Sequence, residues 1–377
     1  MLGTSEKLKA GLETTKTRRQ VRATFRRREP TLTRTPPMTI CIRSAGTLST
    51  GDKVSEIEIS NELMSVRLID LGATLWKLIP HKHPSSNGVC LFQPDPLSYA
   101  DNPSYLGCTI GPLANRVTNS RFTLQGRTHK LTPNEGPNHL HGGPAGFGHR
   151  IWSFETDPAT NSVVFTINRP DGEGGYPGNL DVDATWTLDE NCLRFEWTAK
   201  ADQPTPVSLT NHTYWNLAGR GTIEDHHLQL ASSEIVEVDD QLLPTGELVP
   251  TQATPFDLSG NPRLGDAIQP FKPGGLDHCY AVTLGSPALL GDPESGLSLE
   301  VDTSLPGIQV YTGHHLDGSS EHGGYGPLSG VCLESQFFPD AVNQSHFASP
   351  VLSANQTARY WTTYTFHGIP PAERGPK

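Results

Sequence analysis

The amino-acid sequence predicts an all-β fold, built as one large antiparallel β-sandwich. Its 377 residues include 37 glycines and 32 prolines, and only 18% of the residues are charged. A chain so rich in turn residues fits many short strands joined by tight turns better than a helical bundle. Apolar and polar residues alternate along much of the chain, whereas helical periodicity is scarce. The length is consistent with one large domain, because β-sandwiches often exceed the usual domain size.

The first predicted strands lie at 53–69, on either side of a turn at Asn61 and Glu62. Their alternating apolar residues are Val54, Ile57, Ile59, Met64, Val66 and Leu68.

The clearest predicted hairpin spans 180–199 and turns at 189–191. Its alternating apolar residues are Leu180, Val182, Ala184, Trp186, Leu188, Leu193, Phe195, Trp197 and Ala199. Further short strands are predicted at 163–167, 206–210, 227–231, 279–284, 297–301, 307–312, 331–335 and 359–366, with one helical turn at 97–101.

We predict three parts in the chain, and a difference in charge separates the first part from the rest. Residues 1–38 hold ten of the 29 Lys and Arg residues against three Glu, which leaves 19 basic against 37 acidic residues in 39–377. We interpret 1–38 as a basic, disordered extension, for which Met38 is a candidate functional start. An organelle-targeting presequence is the alternative for this segment, which lacks the apolar stretch of a secretory signal. Residues 39–370 are predicted to form a single β-sandwich domain, and 371–377 a C-terminal tail.

The composition excludes several classes of protein. An acidic body repels phosphate backbones, so no nucleic-acid partner is expected. No window approaches the ~18 apolar residues that a membrane span needs, so no membrane association is expected. The six cysteines contain no CxxC pair, which excludes zinc-ribbon chemistry and argues against a disulfide scaffold. We expect reduced thiols in a cytoplasmic protein that is a monomer or a weak homodimer.

Six polar or glycine-rich segments interrupt the strand pattern and place charged or amide side chains near predicted strand ends, beside aromatic residues. They are GPLANRVTNSRF (111–122), PNEGPNHLHGGPAGFGHR (133–150), SLTNHTYWNLAG (208–219), GGLDHCYAV (274–282), PGIQVYTGHHLDG (306–318) and SGVCLESQFFPDAVNQ (329–344). Sugar hydroxyls need both donors and acceptors, and the apolar face of a sugar stacks on rings. The segments therefore predict a carbohydrate site, in an enzyme or in a binding module.

Seven motifs, in order, resemble those of the aldose 1-epimerase (galactose mutarotase) family. They are ANRVTNSRFTLQGRTHKL, PNHLHGG, LTNHTYWNLAG, LLPTGELVPTQATPFDL, GLDHCYAV, PGIQVYTGHHLDG and ESQFFPDAVNQ. The resemblance runs from about residue 45 to 367. It implies a large galactose mutarotase-like β-supersandwich and no cofactor. It also implies an isomerase that interconverts the α and β anomers of free aldoses, such as glucose and galactose, by general acid/base ring opening and reclosure.

The resemblance implies two groups that act on the reacting atoms. Glu334, an acid within the apolar strand VCLESQ, matches the general base that removes the proton from the C1 hydroxyl. Partial burial, which raises a carboxyl pKa above its free value of ~4.3, suits that role. His212 in LTNHTYWN matches the general acid that protonates the ring oxygen O5, and an unperturbed pKa of ~6.5 suits reversible transfer. On sequence alone, a salt-bridged or strand-edge carboxylate is an equally good interpretation of Glu334. For His212, a hydrogen-bonded structural histidine is the more common case.

Other positions match the family's substrate contacts. His141 in LHGG matches a second active-site histidine that assists the acid. The matching binding residues are Asn115, Arg116, Asp277 and, more loosely, Gln309, and candidate cavity walls are Tyr214, Trp215 and Phe337. Pro112 stands where the family commonly has an arginine, and the loop 319–330 is expected to influence which sugars fit.

His139 and His141 are two positions apart, which points both side chains to one side of an extended chain. A metal site completed by His212 is the alternative explanation of this pair. Acid/base chemistry already accounts for His141 and His212, so no metal is expected and His139 is interpreted as a loop or supporting residue. Three thiols are expected to pack as small apolar groups with no base placed to activate them, namely Cys108, Cys279 and Cys332.

Three other functions remain open at this point. A glycoside hydrolase would use Asp277 and Glu334 as its carboxylate pair, and it gives His212 no necessary role. A lectin-like module without turnover does not need both Glu334 and His212. An epimerase of a phosphorylated or otherwise modified sugar needs several basic residues, and the motifs offer only Arg116 clearly.

Overall fold

The computed structural model describes residues 39–85 and 87–369. The predicted basic extension, 1–38, and the predicted tail, 371–377, lie outside the described residues, as does position 370. Within the described ranges, no helix is long and apolar enough to span a membrane.

The described residues form 26 strands, joined by turns, loops and short helical segments. In chain order the strands are β1 (Thr39–Thr47), β2 (Lys53–Ser60), β3 (Met64–Ile69), β4 (Thr74–Pro80), β5 (Thr109–Ile110), β6 (Arg116–Val117), β7 (Arg121–Leu124), β8 (Arg127–Lys130), β9 (His139–Leu140), β10 (Ser153–Asp157), β11 (Ser162–Arg169), β12 (Leu180–Asp189), β13 (Cys192–Ala201), β14 (Thr205–Pro206), β15 (Thr210–Asn211), β16 (Tyr214–Trp215), β17 (His227–Leu230), β18 (Glu234–Val238), β19 (Pro244–Pro250), β20 (Asp277–Ala281), β21 (Ala288–Gly291), β22 (Ser298–Thr303), β23 (Gly307–Tyr311), β24 (Val331–Gln336), β25 (Val351–Leu352) and β26 (Thr357–His367). The helical segments are one α-helix, α1 (Leu264–Ala267), and the 3₁₀ turns Pro96–Ala100, Thr118–Ser120, Gly143–Ala145, Phe147–His149, Glu173–Gly175, Gln269–Phe271 and Ser320–His322.

Two large antiparallel sheets dominate the fold, which confirms the predicted all-β class. One has eight strands in the order β10-β11-β12-β13-β26-β22-β21-β17, and the other has six in the order β16-β24-β23-β20-β18-β19. Strands β1 to β4 form a four-stranded sheet. The short pairs β14-β25, β15-β5, β6-β9 and β7-β8 complete the strand pairing of the described residues.

The main core contains residues of both large sheets and of strands β2 to β4. The predicted hairpin is formed by β12 and β13, in which alternate residues are buried and Trp186 is paired with Phe195. Trp215 of β16 packs on Tyr364 and Phe366 of β26, with ring centroids 5.2 and 5.8 Å apart. Because β16 and β26 belong to different sheets, these contacts join the inner faces of the sandwich.

The predicted strand at 206–210 is divided in two. Strand β14 pairs with β25 and β15 pairs with β5, while Ser208 between them bridges Leu113. Pro206 at the end of β14 has no N–H to donate to a continuous ladder. The strand predicted at 279–284 is also displaced, because β20 begins at Asp277.

Strand β24 is buried along its whole length. Val331 and Leu333 belong to the main core, whereas Cys332 belongs to a second cluster with Tyr214 and Tyr311. Alternate residues of a strand point to opposite faces, so Glu334 lies on the same face as Cys332. At β24 the outer face of the six-stranded sheet is therefore covered rather than exposed, and it offers a buried surface for a site.

Replacing Arg169 by Met is expected to lower the free energy of unfolding by about 3–5 kcal/mol. Arg169 is only 2% exposed. Its guanidinium donates hydrogen bonds of 2.9–3.0 Å to the backbone carbonyls of Pro170, Tyr176, Pro177 and Gly178. Without the guanidinium, buried carbonyls of this loop lose their donors. Urea unfolding of the two proteins measures the difference.

The matched control is Arg359→Met on β26. The Arg359 side chain is 69% exposed and pairs with Glu196 at 2.7 Å, an exposed contact that is worth at most about 1 kcal/mol. Equal stability losses in the two variants would contradict the role assigned to Arg169.

Candidate active site

A cavity of about 360 Å³ lies against the outer face of the six-stranded sheet. Six of the seven predicted site residues line it, namely Asn115, Arg116, His141, His212, Asp277 and Glu334. The seventh, Gln309, is buried beside the cavity and donates from Nε2 to Oδ1 of Asp277 at 2.7 Å. The fold thus brings distant motifs together around a single cavity.

Strand register sets the sheet side of this cavity. Gln309 on β23 is directly opposite Glu334 on β24, and Asp277 on β20 is opposite Tyr311. These side chains share a face because they occupy alternate positions of neighbouring strands. Gln309 and Glu334 lie within β23 and β24, as VCLESQ indicated for Glu334. Strands that are buried on both faces can thus carry site residues along their length.

Glu334 is 2% exposed. Its Oε1 lies 3.7 Å from Nε2 of His212, and its Oε2 is buried without a hydrogen-bond partner among the described residues. Burial raises the pKa of Glu334 well above its usual value, the charge of Asp277 raises it further, and Arg116 opposes the shift. A carboxyl group with a raised pKa is a stronger base once it is ionised.

Two hydrogen bonds to the residues just before β5 hold the backbone of His212. Its N–H donates to the carbonyl of Cys108 at 3.0 Å, and its carbonyl accepts from the N–H of Gly107 at 2.9 Å. Burial lowers the pKa of His212 to about 4. The unperturbed pKa of ~6.5 expected from the sequence therefore does not hold for the buried ring, since desolvation disfavours the imidazolium.

The thiol of Cys332 lies 3.5 Å from Nδ1 of His212. Alternation on β24 puts the side chain of Cys332 on the cavity face beside an imidazole, a neighbour that the sequence did not predict. Burial raises the pKa of Cys332 well above its usual value, so the group stays a thiol and is not activated as a nucleophile.

Activity is expected to follow a bell-shaped pH profile that belongs to the Glu334–His212 pair. Because burial lowers the pKa of His212 to about 4 and raises that of Glu334, the pair titrates as a unit and carries one proton between its two apparent pKa values. The same single proton allows the arrangement in which His212 is the acid and Glu334 the base. Below about pH 4 the pair gains a second proton, and on the alkaline side it loses its only one. Measurement of kcat/KM against pH tests this, and a rate that rises through pH 4 toward lower pH contradicts it.

His141 approaches the cavity from the opposite side. Its backbone has a φ of +53°, directly after β9 ends at Leu140. Nδ1 accepts the backbone N–H of Asn115 at 3.2 Å, and the N–H of His141 donates to the carbonyl of Asn115 at 3.1 Å. Its ring centroid lies 5.3 Å from that of His212. Burial is the main reason that the pKa of His141 lies well below its usual value, and the nearby His212 and Arg116 lower it further.

His139 does not share this environment. It is fully buried on β9, where Nδ1 donates to the carbonyl of Thr132 at 2.6 Å and Nε2 accepts the hydroxyl of Tyr176 at 2.8 Å. The prediction that His139 and His141 point to one side is wrong, because the strand ends between them and His141 adopts a positive φ. With both ring nitrogens engaged, His139 supports the segment that carries His141.

Charged side chains hold one another along the binding side of the cavity. Arg116 makes a bidentate ion pair with Glu135, with both N–O distances 2.9 Å, and its Nη1 lies 3.7 Å from Oδ2 of Asp277. Gln309 holds the other oxygen of Asp277. The backbone N–H of Arg116 donates to Oδ1 of Asn115 at 2.8 Å. These contacts orient donors and acceptors before any ligand binds.

Several residues that line the cavity were not predicted from the sequence. Tyr105 packs its ring on His141 and His212, with centroid distances of 4.8 and 5.9 Å. Glu135, His315 and His322 also line it. Tyr105 carries no chemical signal in NPSYLG, whereas Glu135 stands within PNEGPN and His322 within the loop expected to influence sugar fit. Of the candidate walls, Tyr214 lines the cavity, but Trp215 and Phe337 belong to the main core.

Known proteins resemble the chain over most of its length. A sequence profile described as aldose 1-epimerase matches residues 55–365. The galactose mutarotase of Sus scrofa is 38% identical over 323 residues, which cover 83% of this chain and 94% of that protein. The aldose 1-epimerase of Escherichia coli K12 is 35% identical over 306 residues, 77% of this chain and 88% of that protein.

Solved structures share the fold. A galactose 1-epimerase from Lactobacillus acidophilus matches with a TM-score of 0.80 and 28% identity, covering 88% of this chain and 99% of that one. An aldose epimerase homologue from C. elegans matches with a TM-score of 0.76 and 29% identity, covering 88% of this chain and 100% of that one. The predicted galactose mutarotase-like supersandwich is therefore confirmed.

Proposed function

The chain belongs to the aldose 1-epimerase family, and from this premise we infer that it is an isomerase that interconverts the α and β anomers of free hexoses such as galactose and glucose. The observation that carries the proposal is the buried pair formed by Glu334 and His212, with Oε1 and Nε2 3.7 Å apart on a cavity of about 360 Å³. A base and an acid so placed serve the two oxygens of a hemiacetal, O1 and O5.

The reaction needs one proton at each oxygen. Glu334 takes the proton of the C1 hydroxyl, the electron pair forms the C1=O1 bond, and the C1–O5 bond breaks as His212 gives its proton to O5. Rotation about C1–C2 presents the other face of the aldehyde. On reclosure His212 takes the proton back from O5 and Glu334 returns its proton to O1. The pair ends with the single proton with which it began.

The polar wall suits a neutral sugar. Asp277, held by Gln309 and close to Arg116, offers carboxylate oxygens to hydroxyl donors, and Arg116 offers N–H groups to hydroxyl oxygens. Glu135, Asp277 and Glu334 line the same cavity as Arg116. Acidic groups in this number disfavour a phosphorylated substrate, so the arrangement supports a free hexose.

Polarimetry on freshly dissolved α-D-glucose and α-D-galactose tests the proposal. The expected result is a relaxation to the anomeric equilibrium that accelerates in proportion to enzyme concentration. Relaxation at the uncatalysed rate with high enzyme concentration overturns it. Cleavage of an aryl glycoside without accelerated mutarotation would indicate the glycoside hydrolase instead.

A further inference from the structure

We propose that the backbone N–H of Asn115 locks His141 in the tautomer with its hydrogen on Nε2, so that His141 is a permanent hydrogen-bond donor to the sugar and transfers no proton. The role toward the sugar rests on the proposed function. The tautomer does not, and it is measured separately.

The lock follows from the chemistry of the two partners. A backbone N–H can only donate, so Nδ1 of His141, 3.2 Å from the nitrogen of Asn115, must present its lone pair there. The hydrogen of the neutral ring is then on Nε2. A second bond in the opposite direction, from the N–H of His141 to the carbonyl of Asn115 at 3.1 Å, fixes the two residues against each other.

Backbone geometry makes this exchange specific to the two residues. Both adopt the left-handed conformation, with φ of +64° at Asn115 and +53° at His141. Next to them, Arg116 on β6 is paired with Leu140 on β9. The short strand pair thus holds the amide of Asn115 at the ring of His141, and both side chains are buried, at 3% and 7% exposure.

The imidazolium form of His141 is disfavoured by the same contact. A second ring proton would be on Nδ1, where it would face the N–H of Asn115 as donor against donor. Burial lowers the pKa of His141 well below its usual value, and the nearby His212 and Arg116 lower it further. The ring therefore stays neutral while Glu334 and His212 exchange protons with the sugar.

A fixed hydrogen-bond donor can stabilise charge on the sugar without giving up its proton, whereas an acid transfers it. When the C1–O5 bond breaks, negative charge grows on O5, which His212 protonates. The ring of His141, 5.3 Å from that of His212 between centroids, offers its Nε2–H to the same region. A donor that is oriented beforehand stabilises developing charge more than it stabilises the ground state.

The lock also bears on metal binding. Ligand atoms of His141, His212 and Glu334 all lie within 4.8 Å of one another, a spacing from which a transition metal could be chelated. A histidine that binds a metal through one nitrogen normally donates the N–H of the other to an acceptor. Nδ1 of His141 faces a donor instead, so Nε2 presents a hydrogen and no lone pair to the group.

Nitrogen-15 NMR of the uniformly labelled protein tests the tautomer. The His141 signals are identified by their absence in His141→Gln. We expect a protonated Nε2 and an unprotonated Nδ1, with shifts that do not change between pH 5 and pH 9. A ring protonated on Nδ1, or one that titrates in this range, overturns the lock whether or not the protein is a mutarotase.

Two variants test the donor role. His141→Ala is expected to lower kcat by about 10²–10³-fold, because one oriented donor is lost. His141→Gln supplies an amide N–H, so we expect kcat within about 10-fold of the wild type and an unchanged pH profile. A Gln variant as inactive as the Ala variant shows that His141 must transfer a proton and overturns the role.

Zinc binding, measured by competition with a chromogenic chelator, gives an independent readout. We expect the same Zn²⁺ affinity in the wild type and in His141→Gln, because His141 offers no lone pair. The double variant His315→Asn/His322→Asn controls for binding at the rim of the cavity. A wild-type affinity that falls about 10-fold or more in His141→Gln overturns the lock.

Discussion

Replacing Glu334 by Gln is expected to reduce kcat for mutarotation by about 10³–10⁴-fold, with little change in KM. The amide has nearly the shape of the carboxyl group but cannot take the proton from the C1 hydroxyl. Asp277 and Arg116 keep the sugar contacts, since neither hydrogen bonds to Glu334. Polarimetry at saturating α-D-galactose measures the effect.

The fold of this variant is expected to persist. Glu334 is buried with Oε2 unpartnered among the described residues, so its ionised form costs desolvation that a neutral amide does not incur. The melting temperature should be unchanged or higher.

Glu234→Gln is the matched control and should retain wild-type activity, because Glu234 is an exposed residue at the start of β18 in the same sheet. An E334Q variant with more than a tenth of wild-type kcat would show that another group is the base.

The elements that sequence analysis predicted best are those with one buried face. In β12 and β13 the buried positions alternate strictly, because the inner face meets the core and the outer face meets water. Alternation of apolar and polar residues with a period of two then predicts a strand directly. The turn at 189–191 fixes the register of this hairpin.

Glu334 could not be assigned in this way. Every residue of β24 is buried, so polarity along VCLESQ does not alternate with exposure. What gives Glu334 its environment is its long-range neighbours, Gln309 opposite it on β23 and His212 from a distant segment. Only the resemblance to a family indicated its role.

Local geometry also separated two histidines that the sequence paired. A positive φ at His141, after a two-residue strand, sends its ring to the cavity while His139 remains between Thr132 and Tyr176. Neither residue is a glycine, so their own identities do not mark the positive φ, although Gly142 and Gly143 follow directly. Tyr105 was missed for the same reason, because it also reaches the cavity from a left-handed backbone conformation, with a φ of +55°.

Replacing His212 by Ala is expected to reduce kcat by about 10²–10³-fold, less than the loss for Glu334→Gln. Water can still protonate O5, whereas removal of the proton from the C1 hydroxyl depends on the buried carboxylate of Glu334. The backbone bonds of residue 212 to Cys108 and Gly107 do not involve the side chain, so the loop should keep its position. Polarimetry and a melting curve measure activity and fold together.

His212→Gln separates proton transfer from placement. A Gln side chain carries an amide N–H close to the former Nε2 but gives up no proton, so it should be nearly as inactive as His212→Ala. This is opposite to the expectation for His141→Gln, which keeps what a fixed donor supplies. His367→Ala is the control for removal of an imidazole and should leave the rate unchanged, because the His367 side chain is 51% exposed at the end of β26.

Recovery of activity by Gln at position 212 would show that the two histidines have the same function, and it would remove His212 as the acid. A loss in both His212 variants, with a pH profile that no longer falls near pH 4, ties the acid limb to His212, because burial lowers the pKa of this ring to about 4.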